Sequence, residues 1–582
     1  MDIALSQNLP QLLDALFQQI HVDRRAGKEL PTVATVRDKL VQNASHTGSL
    51  HFHVPNQPDV DSAAALDTEC DLIALARDFA TEAIRLYAGE LIAARSTCRN
   101  QSNVTYRLPV EVLSAIFEYV ECTSTNSLAN LRRRAPLNLS GVSRFWREVA
   151  CNTPSLWARI DAVSVSLAPL FARRSMQLPL QIELVNEYEG KRSYAVDAAY
   201  SLQLTHFTGF IRNLVPCGNR WKSLALQGIG LTSLSQLLRF RAPLLENLYL
   251  ILSGTRISRE STVSRPLFGG ETPHLRVLRL VAMSLPLRSK IYVGLVELHL
   301  ERINYTISTA FDLLRVLEAC PSLERLTLRL LQFETIWGSP LHPSISLRCL
   351  KHLELYMLDH RLSDYIISSI IAPVSVRLRL EQGCRTWSSA YLPIAIPNSA
   401  EIGNLLIRCR GIDIVEIAGN AVKDNACLLE LDFRARHKFS CPPIFLEHFG
   451  RIPPFVSLKS LAFEGLDDTF TQELFIALLG NFPSIETLSL RACPSRLLGA
   501  LASAPNHTPC PMLHTLQLAD MHLDESVVQV MQTRVRRREA DESGAHIKHV
   551  MLFQLREEDR HILEVLKGIF DVVELSEWVV FK

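Results

Sequence analysis

The segment RLPVEVLSAIFEYV, Arg107 to Val120, decides how the first part of the chain folds. Pro109 suits the first position of a helix, because its missing N–H is not needed there and its fixed φ is already helical. The apolar residues that follow recur at helical spacing and share one face: Leu113, Ile116, Phe117 and Val120. The sequence therefore predicts a helix that opens at Leu108-Pro109 and presents one apolar face.

A second helix is predicted in the segment that ends SGVSRFWREVACNTPSLWARI, residues 140–160. Its apolar residues recur at spacings of three and four, whereas Arg144, Arg147 and Glu148 fall on the side facing water. Pro154 ends this helix, and Leu156-Trp157 are expected to fold back on it. Such short helices make a small core, so we expect some of their apolar residues to be buried against another protein. The apolar face consists of Leu139, Val142, Trp146 and Val149.

The order of residue types in these two segments resembles an F-box, a short helical module. The similarity covers residues 104–160 and departs mildly at Ser143, where the family often has Cys. The flanking segments are similar to those of the large F-box families of fungi. The residues that carry the resemblance are Leu108-Pro109, Glu111-Val112-Leu113, Ile116-Phe117, Val142-Ser143, Trp146-Arg147 and Leu156-Trp157.

The resemblance implies a substrate-receptor subunit of a cullin-type (SCF) ubiquitin ligase, which directs ubiquitin-dependent degradation and is not itself an enzyme. Its partners would be the adaptor subunit, a cullin reached through the adaptor, and an unknown protein substrate. The alternative is a recognition or scaffold protein that binds the adaptor without directing ubiquitination. The residues expected to bind the adaptor are Leu108, Pro109, Leu113, Ile116, Phe117, Val142 and Trp146.

The residues before this module separate into a leader and a helix. Residues 1–69 are expected to form a flexible leader with one short amphipathic helix between Leu9 and Ile20. Residues 70–100 have an apolar stripe at helical spacing and are expected to form an amphipathic helix that packs on the next domain rather than a coiled coil. The stripe consists of Leu72, Leu75, Phe79, Ala83 and Leu86.

Beyond a linking segment, residues 161–215, the pattern Leu-x-x-Leu-x-Leu recurs over residues 216–582. Its last leucine falls at 250, 280, 300, 328 and 355, steps close to the period of leucine-rich repeats. Helical stretches such as FDLLRVLEAC and QELFIALLGNF separate the copies. We therefore predict an α+β multidomain chain: a small all-α F-box followed by an α/β leucine-rich-repeat solenoid, with each unit contributing a strand, a turn and a helix.

The repeat varies along the chain. Trp221/Leu224/Leu226 is expected to open the array, and residues 381–411 are irregular, either an insertion or a distorted repeat. The strict copies are Leu245/Leu248/Leu250, Leu275/Leu278/Leu280, Leu295/Leu298/Leu300, Leu323/Leu326/Leu328, Leu350/Leu353/Leu355 and Leu513/Leu516/Leu518. The degenerate copies are Ile412/Val415/Ile417, Leu458/Leu461/Phe463, Ile485/Leu488/Leu490 and Ile547/Val550/Leu552.

The variable positions between the leucines are expected to face a substrate. Their mixed charges favour a protein or a degron over a phosphate polymer. The positions are Asn247, Tyr249, Arg276, Arg279, Glu297, His299, Glu324, Arg325, Lys351, His352 and Glu354. The five proposed as substrate-binding residues are Tyr249, Arg279, His299, Arg325 and His352.

The overall charge gives no reason to expect nucleic acid or a membrane as a partner. Lys+Arg 61 against Asp+Glu 60 leaves a net charge of +1. No apolar run approaches the roughly 18 residues that a membrane span needs, and the first residues resemble neither a signal nor a transit peptide. We therefore expect a cytoplasmic and/or nuclear protein. The arginine runs at 132–134 and 536–538 are expected to be solvated loops rather than nucleic-acid patches.

The cysteines and the catalytic motifs favour a protein without cofactor or metal. The chain has 13 cysteines, which are scattered singly and lack the spacing of a zinc module or a disulfide framework. Cys320, Cys349, Cys493 and Cys510 fall at repeat positions where a small buried residue is expected. No GxxxxGK[ST], GxGxxG, HExxH or GxSxG occurs, so no catalytic site is predicted.

Overall fold

The computed structural model describes most of the chain from residue 60 onward. The described residues are 60–122, 134–161, 167–184, 209–227, 239–252, 258–259, 267–334, 344–384, 391–393, 395–411, 413–435, 445–451, 455–501, 509–523, 528, 532, 547–553, 559–569 and 571–575. The predicted leader helix near Leu9, the arginines at 132–133 and the run 536–538 lie outside them. Within these residues, no helix is both long and apolar enough to cross a membrane.

The chain divides into two compact units, residues 1–153 and 154–582. The first contains four helices among its described residues: α1 Val60–Gln101, α2 Val110–Cys122, α3 Ala135–Val142 and α4 Arg144–Cys151. A turn of 3-10 helix, Val104–Arg107, connects α1 to α2, and the Asn103 side chain caps it. The helix predicted over 70–100 is thus part of a longer helix of 42 residues.

Ser143 divides the second predicted helix of this module into two. Its backbone is extended, with φ −161° and ψ 170°, so α3 ends there and α4 begins at the next residue. Its hydroxyl accepts a hydrogen bond from the backbone N–H of Trp146 at 3.1 Å, which satisfies one of the free donors of the first turn. The prediction of one continuous helix through Leu139 and Val149 was wrong, because Ser143 acts as a cap.

The described part of the second unit is built on one sheet of 17 strands that runs from β1 to β17. The helices in its described part are α5 Ala168–Arg174, α6 Ala310–Glu318, α7 His360–Ser369, α8 Gln472–Leu479 and α9 Arg560–Lys567. The strands are β1 Arg159–Asp161, β2 Leu180–Leu184, β3 Trp221–Gln227, β4 Asn247–Ile251, β5 Val277–Val281, β6 Glu297–Glu301, β7 Arg325–Arg329, β8 His352–Tyr356, β9 Arg377–Cys384, β10 Ile402–Arg410, β11 Ile414–Ala421, β12 Cys427–Ala435, β13 Ser460–Glu464, β14 Thr487–Arg491, β15 Thr515–Ala519, β16 His549–Phe553 and β17 Asp571–Leu575.

One apolar residue from each of the 14 strands β3 to β16 forms a continuous buried row across the sheet, which we call the leucine ladder. Because strand side chains alternate between faces, the last apolar residue of each Leu-x-x-Leu-x-Leu copy points to the interior, as does the apolar residue two positions earlier, while the residue between them points away. The residues are aligned in register from strand to strand, which buries an apolar edge that no single strand covers alone. In spatial order the ladder consists of Leu226, Leu250, Leu280, Leu300, Leu328, Leu355, Leu380, Leu431, Ile417, Ile407, Phe463, Leu490, Leu518 and Leu552.

The array begins earlier than predicted. The copy at Trp221 lies in β3, but β1 and β2 precede it and pair in parallel, with Ile160 opposite Ile182 and Ile182 opposite Leu224. Residues 161–215, expected as a linking segment, supply α5 and β2 to the second unit. Both β1 and β2 lack the Leu-x-x-Leu-x-Leu pattern, so spacing alone did not reveal them.

The irregular region contains a three-stranded meander that reverses the order of the sheet. Spatially the strands run β9, β12, β11, β10, β13; β11 is antiparallel to both neighbours, and the outer pairings are parallel. The segment predicted as a degenerate copy, Val415/Ile417, is therefore the reversed strand β11, and Ile412 lies outside the described residues. Buried Asn398 ties the region together by donating to the carbonyl oxygens of Val376 and Leu428, both at 2.7 Å.

Among the connections that the structure describes, helices join only some of the strands. The two helical stretches predicted between repeats form α6 and α8, and α6 begins with a capping box between Thr309 and Asp312. Other described connections contain 3-10 turns instead: Leu267–Gly270, Lys290–Tyr292 and Ser495–Leu501. Two small parallel sheets join further connections, one from Ser258–Arg259, Ile303–Tyr305 and Gln332–Phe333 and one from Ile345–Ser346 and Ile370–Ile371. The unit of strand, turn and helix therefore holds for part of the array.

A left-handed residue follows directly after many of the strands. Its φ lies between 48° and 72°, and at five of these positions its N–H donates to the carbonyl oxygen of the last residue in the next strand, as from Gly465 to Arg491 and from Ala492 to Ala519, whereas the N–H of Met357 donates to Glu381 within β9. Residues other than glycine are strained in this conformation, so each such turn lowers the stability of the fold. The residues are Ala282, Arg302, Leu330, Met357, Gly465, Ala492 and Asp520.

Gly465 and Ala492 occupy the same position in two of these turns, so replacing glycine by alanine at one can be compared with replacing alanine by glycine at the other. We expect Gly465→Ala to lower the free energy of unfolding by roughly 2 kcal/mol, because the residue is left-handed and a Cβ would overlap the carbonyl oxygen of Cys409. Exposed Ala492→Gly should leave that free energy unchanged or raise it by up to about 1 kcal/mol. The midpoints of chemical unfolding measure both, and equal loss in the two variants would contradict this account.

Candidate interaction surfaces

The helix α2 has one buried side and one exposed apolar side. Leu113 and Phe117 are 1% and 0% exposed, so they form the core of the first unit and are not on its surface. Ile116 is 42% exposed and Tyr119 is 75% exposed, and with Val112 they repeat at spacings of four and three. We call Val112, Ile116 and Tyr119 the apolar stripe of α2.

The structure corrects the predicted adaptor-binding set in part. Leu113 and Phe117 were expected at a contact surface, but they hold the helix against its own unit from inside. Pro109, Ile116 and Val142 are exposed, and Leu108 and Trp146 are half-buried, so these five remain available to a partner. Sequence reasoning missed Val112 and Tyr119, although their spacing from Ile116 was a sufficient signal.

Aromatic contacts fix α4 on the rest of the first unit. The ring of Trp146 lies 5.0 Å from that of Phe117, and the ring of Phe145 lies 5.0 Å from that of Tyr106. Arg144, Arg147 and Glu148 are exposed, as predicted for the far side of this helix. The second tryptophan of the motif packs within the second unit, where Trp157 contacts Phe171 at 4.9 Å and lies under the guanidinium of Arg174 at 4.3 Å.

A buried ion pair joins the end of α2 to the start of α3. Arg134 Nη2 lies 3.4 Å from Glu121 Oε1, and both side chains are almost completely shielded from solvent. Arg134 therefore departs from the solvated loop expected for the arginine run at 132–134. Removing one member of a buried pair leaves an uncompensated charge in the interior, which is strongly destabilising.

We expect Glu121→Ala to destabilise the first unit by about 3 kcal/mol. The measurement is amide hydrogen exchange in α2 and α3, which reports local opening. The exposed Glu118→Ala on the same helix is the matched control and should change protection little. A double variant, Glu121→Leu with Arg134→Leu, should recover part of the loss; protection equal to wild type in Glu121→Ala would refute the role of the pair.

The sheet of the second unit presents a polar face opposite the leucine ladder. Neighbouring strands place in register the row Tyr249, Arg279, His299, Thr327, Glu354 and Arg379. A second row lies two residues earlier on each strand and consists of Glu297, Arg325, His352 and Arg377. All five residues predicted to bind a substrate lie on this polar face. Arg377 was missed because β9 lacks the strict leucine pattern.

Most charges on the polar face are paired with a neighbouring strand. Arg408 Nε lies 2.8 Å from Glu464 and its Nη1 3.3 Å from Glu416, and Arg491 lies 3.5 Å from Glu464 and 3.2 Å from Asp520. Such a network spans several strands, so its members are held in place more firmly than an isolated surface pair. The further cross-strand pairs are Arg325–Glu297, Arg329–Glu301, Arg379–Glu430 and Arg434–Glu381.

The local surroundings on the polar face lower the pKa values of one acid, Glu301, and one histidine, His352. The hydrogen bond between His299 Nε2 and Glu301 Oε2, at 3.0 Å, lowers the pKa of Glu301, and Arg329 and Arg302 add to the effect. Burial lowers the pKa of His352, and the charges of Arg325 and Arg377 lower it further. His352 is therefore neutral at pH 7 and can accept or donate a hydrogen bond.

The lowered pKa of Glu301 gives a pH-dependent contribution to stability. A folded-state pKa below the unfolded value stabilises above about pH 4.5, and this contribution is lost as the pH falls through the folded pKa. We expect Glu301→Gln to lower the unfolding free energy by roughly 1 kcal/mol at pH 7, with the deficit narrowing at acidic pH. Denaturant titrations across pH measure it, with the more exposed Glu297→Gln as control; a deficit independent of pH would contradict it.

The described cysteines are free thiols, and burial makes three of them poor nucleophiles. Burial raises the pKa of Cys384, Cys409 and Cys493 to about 12. Cys320, Cys493 and Cys510 are buried, as predicted for repeat positions, but Cys349 is exposed and that prediction was wrong. No group of three or more His, Cys, Asp or Glu in the described part of the chain could hold a metal ion.

Comparison with known proteins identifies the helical module. A family model described as F-box-like matches residues 105–162. The chain therefore carries an F-box-like domain, and the matched segment includes α2, α3, α4 and the start of the second unit. A search of curated proteins gives no match to the chain. At the level of class, the chain combines an F-box-like domain in a short helical region with a large, mostly parallel sheet.

Proposed function

We propose that the chain is the substrate-receptor subunit of a cullin-type (SCF) ubiquitin ligase. The observation that carries the proposal is the F-box-like match over residues 105–162. F-box domains generally bind an adaptor subunit that is linked to a cullin. In this role the first unit binds the adaptor, and the second unit holds a protein for ubiquitination and degradation.

The apolar stripe of α2 supports the adaptor contact. Contiguous exposed apolar residues are uncommon on a monomer and mark sites of association. Ile116 and Tyr119 are exposed on a helix whose opposite side is firmly buried, so a partner can cover them without unfolding the unit. We assign the contact to this stripe, with Leu108, Pro109, Val142 and Trp146 as further candidates.

We infer that the sheet of the second unit is a leucine-rich-repeat array. The support is the leucine ladder, in which Leu-x-Leu strands align in parallel across neighbouring units. The reversed meander at β10–β12 is a departure from a simple repeat. The resemblance of the module and its flanks to the fungal F-box families remains part of this proposal.

The polar face is the proposed substrate-binding surface. It displays both signs of charge along neighbouring strands, which suits a protein ligand better than a phosphate polymer. The candidate residues are Tyr249, Arg279, His299, Arg325 and His352. We place the protein in the cytoplasm or nucleus, where cullin ligases would meet such a substrate, and assign it no catalytic step of its own.

The adaptor contact is tested by co-purifying the full chain with an adaptor and a cullin. We expect the wild type to hold both partners and Ile116→Asp to capture at least about tenfold less adaptor, because a charge is buried at the centre of the contact. Val456→Asp, at an exposed apolar residue of the second unit, is the matched control and should bind as the wild type does.

Three outcomes separate the possibilities. A wild-type chain that captures no adaptor refutes the receptor proposal. Capture that is unaffected by Ile116→Asp keeps the receptor but refutes the assigned surface. Capture of the adaptor without the cullin, and without ubiquitin transfer to a bound protein, supports instead a recognition or scaffold protein that binds the adaptor alone.

A further inference from the structure

Two arginines on the polar face, Arg279 and Arg377, differ from their neighbours in having no acidic partner among the residues that the structure describes. Within the described residues, no carboxylate oxygen lies within 4.0 Å of the guanidinium of Arg279 or of Arg377, whereas Arg325, Arg329 and Arg379 each have such a partner. The contrast is local, since all five lie on β5, β7 and β9 of the same face. A ligand that meets these two arginines therefore displaces no internal ion pair.

Arg279 lies in the row between Tyr249 and His299 and is half-buried. Its Nε is shielded from solvent and has no hydrogen-bond partner among the described residues. Such an unsatisfied donor in a buried setting is unusual in proteins and calls for an acceptor. The charge is close enough to Tyr249 to oppose the rise in the pKa of that phenol, which burial and Glu297 produce.

Arg377 ends the row Arg325, His352 and Arg377 on three adjacent strands. It is exposed, and its charge together with that of Arg325 lowers the pKa of the intervening His352, after burial as the larger cause. Arg325 and Arg377 thus flank the neutral imidazole of His352, which can donate a hydrogen bond, while Glu354 opposes their effect on its pKa. A planar guanidinium beside such a donor matches the oxygens of a carboxylate or a phosphoryl group.

The separation of the two arginines defines the ligand further. They lie four strands apart, which at roughly 4.8 Å per strand is about 19 Å across the sheet. An extended peptide covers this distance in about six residues at roughly 3.3 Å each. A segment laid across the strands with two anionic groups about six residues apart would reach both.

We propose that the polar face between β4 and β9 binds an extended acidic peptide segment of the substrate, with Arg279 and Arg377 each receiving an anionic side chain. The inference rests on the proposed receptor function and specifies its substrate class. It adds Arg377 to the surface and gives Arg279 a defined role. The anionic group is a carboxylate or a phosphate, which share the bidentate geometry that arginine recognises.

The test measures binding of fluorescent peptides to the full chain co-expressed with the adaptor. Two probes of 12 residues or so carry anionic side chains six positions apart, one with glutamates and one with phosphoserines, and a third carries lysines instead. We expect both anionic probes to bind in a salt-dependent manner and the lysine probe not to bind. Arg377→Gln and Arg279→Gln should each weaken binding about tenfold, as loss of one charge-assisted contact.

Arg361→Gln is the matched control, because exposed Arg361 belongs to α7 rather than to the polar face. It removes the same charge and should bind within about twofold of wild type. Binding that is unchanged in both Arg279→Gln and Arg377→Gln, or absent in the wild type, overturns the proposal. Equal binding of both anionic probes indicates carboxylate recognition and tighter binding of the phosphorylated one indicates phosphate; either supports it.

Adaptor capture by the same preparation separates this inference from the receptor function. Capture without peptide binding refutes the acidic-segment proposal and keeps the receptor. Peptide binding without capture refutes the receptor, and the acidic segment is then recognised by a protein outside the ligase.

Discussion

The in-register burial of the leucine ladder is the constraint on which the rest of the second unit depends. Each strand is short and has only one apolar edge, so the edge is removed from water only when the neighbouring strand presents its own leucine at the same height. A slip of one residue would turn leucines such as Leu328 and Leu355 to solvent and bring Thr327 and Glu354 inside. The register is therefore fixed by the core, and the polar face inherits it: Arg279, His299 and Arg377 stand in rows because the leucines behind them do.

The same constraint explains why strain is tolerated at the ends of the strands. The chain turns away from the sheet at the end of a strand through a residue in the left-handed conformation. Ala282, Leu330 and Ala492 adopt this conformation although it is strained for any residue other than glycine. The N–H of that residue bonds the next strand, so the strained turn is also a link in the array. The cost of order 1 kcal/mol at each turn is offset by the ladder it permits.

The sequence predicted those features that a single short period encodes. Leucine spacing revealed most strands, and Pro109 marked the start of α2 because both signals are local. The division of α3 from α4 was missed because the apolar spacing from Val142 to Trp146 continues across Ser143, whose hydroxyl caps the new helix. Which side of α2 is buried depends on contacts from α4, so Leu113 and Phe117 were wrongly assigned to a surface. The order of β9 to β13 depends on long-range pairing, which no local pattern of Val415 or Ile417 could show.

The internal pairing of charges on the polar face limits what a partner can gain there. A ligand that contacts Arg408 or Arg491 competes with carboxylates already held in place by neighbouring strands, and it must also remove water from them. Net affinity then comes from the few groups that lack an internal partner, while the paired majority penalises ligands whose charges do not match. Within the described part of the polar face, such selectivity rests on Arg279 and Arg377. Selectivity of this kind comes from the cross-strand pairs as much as from the residues that contact the ligand.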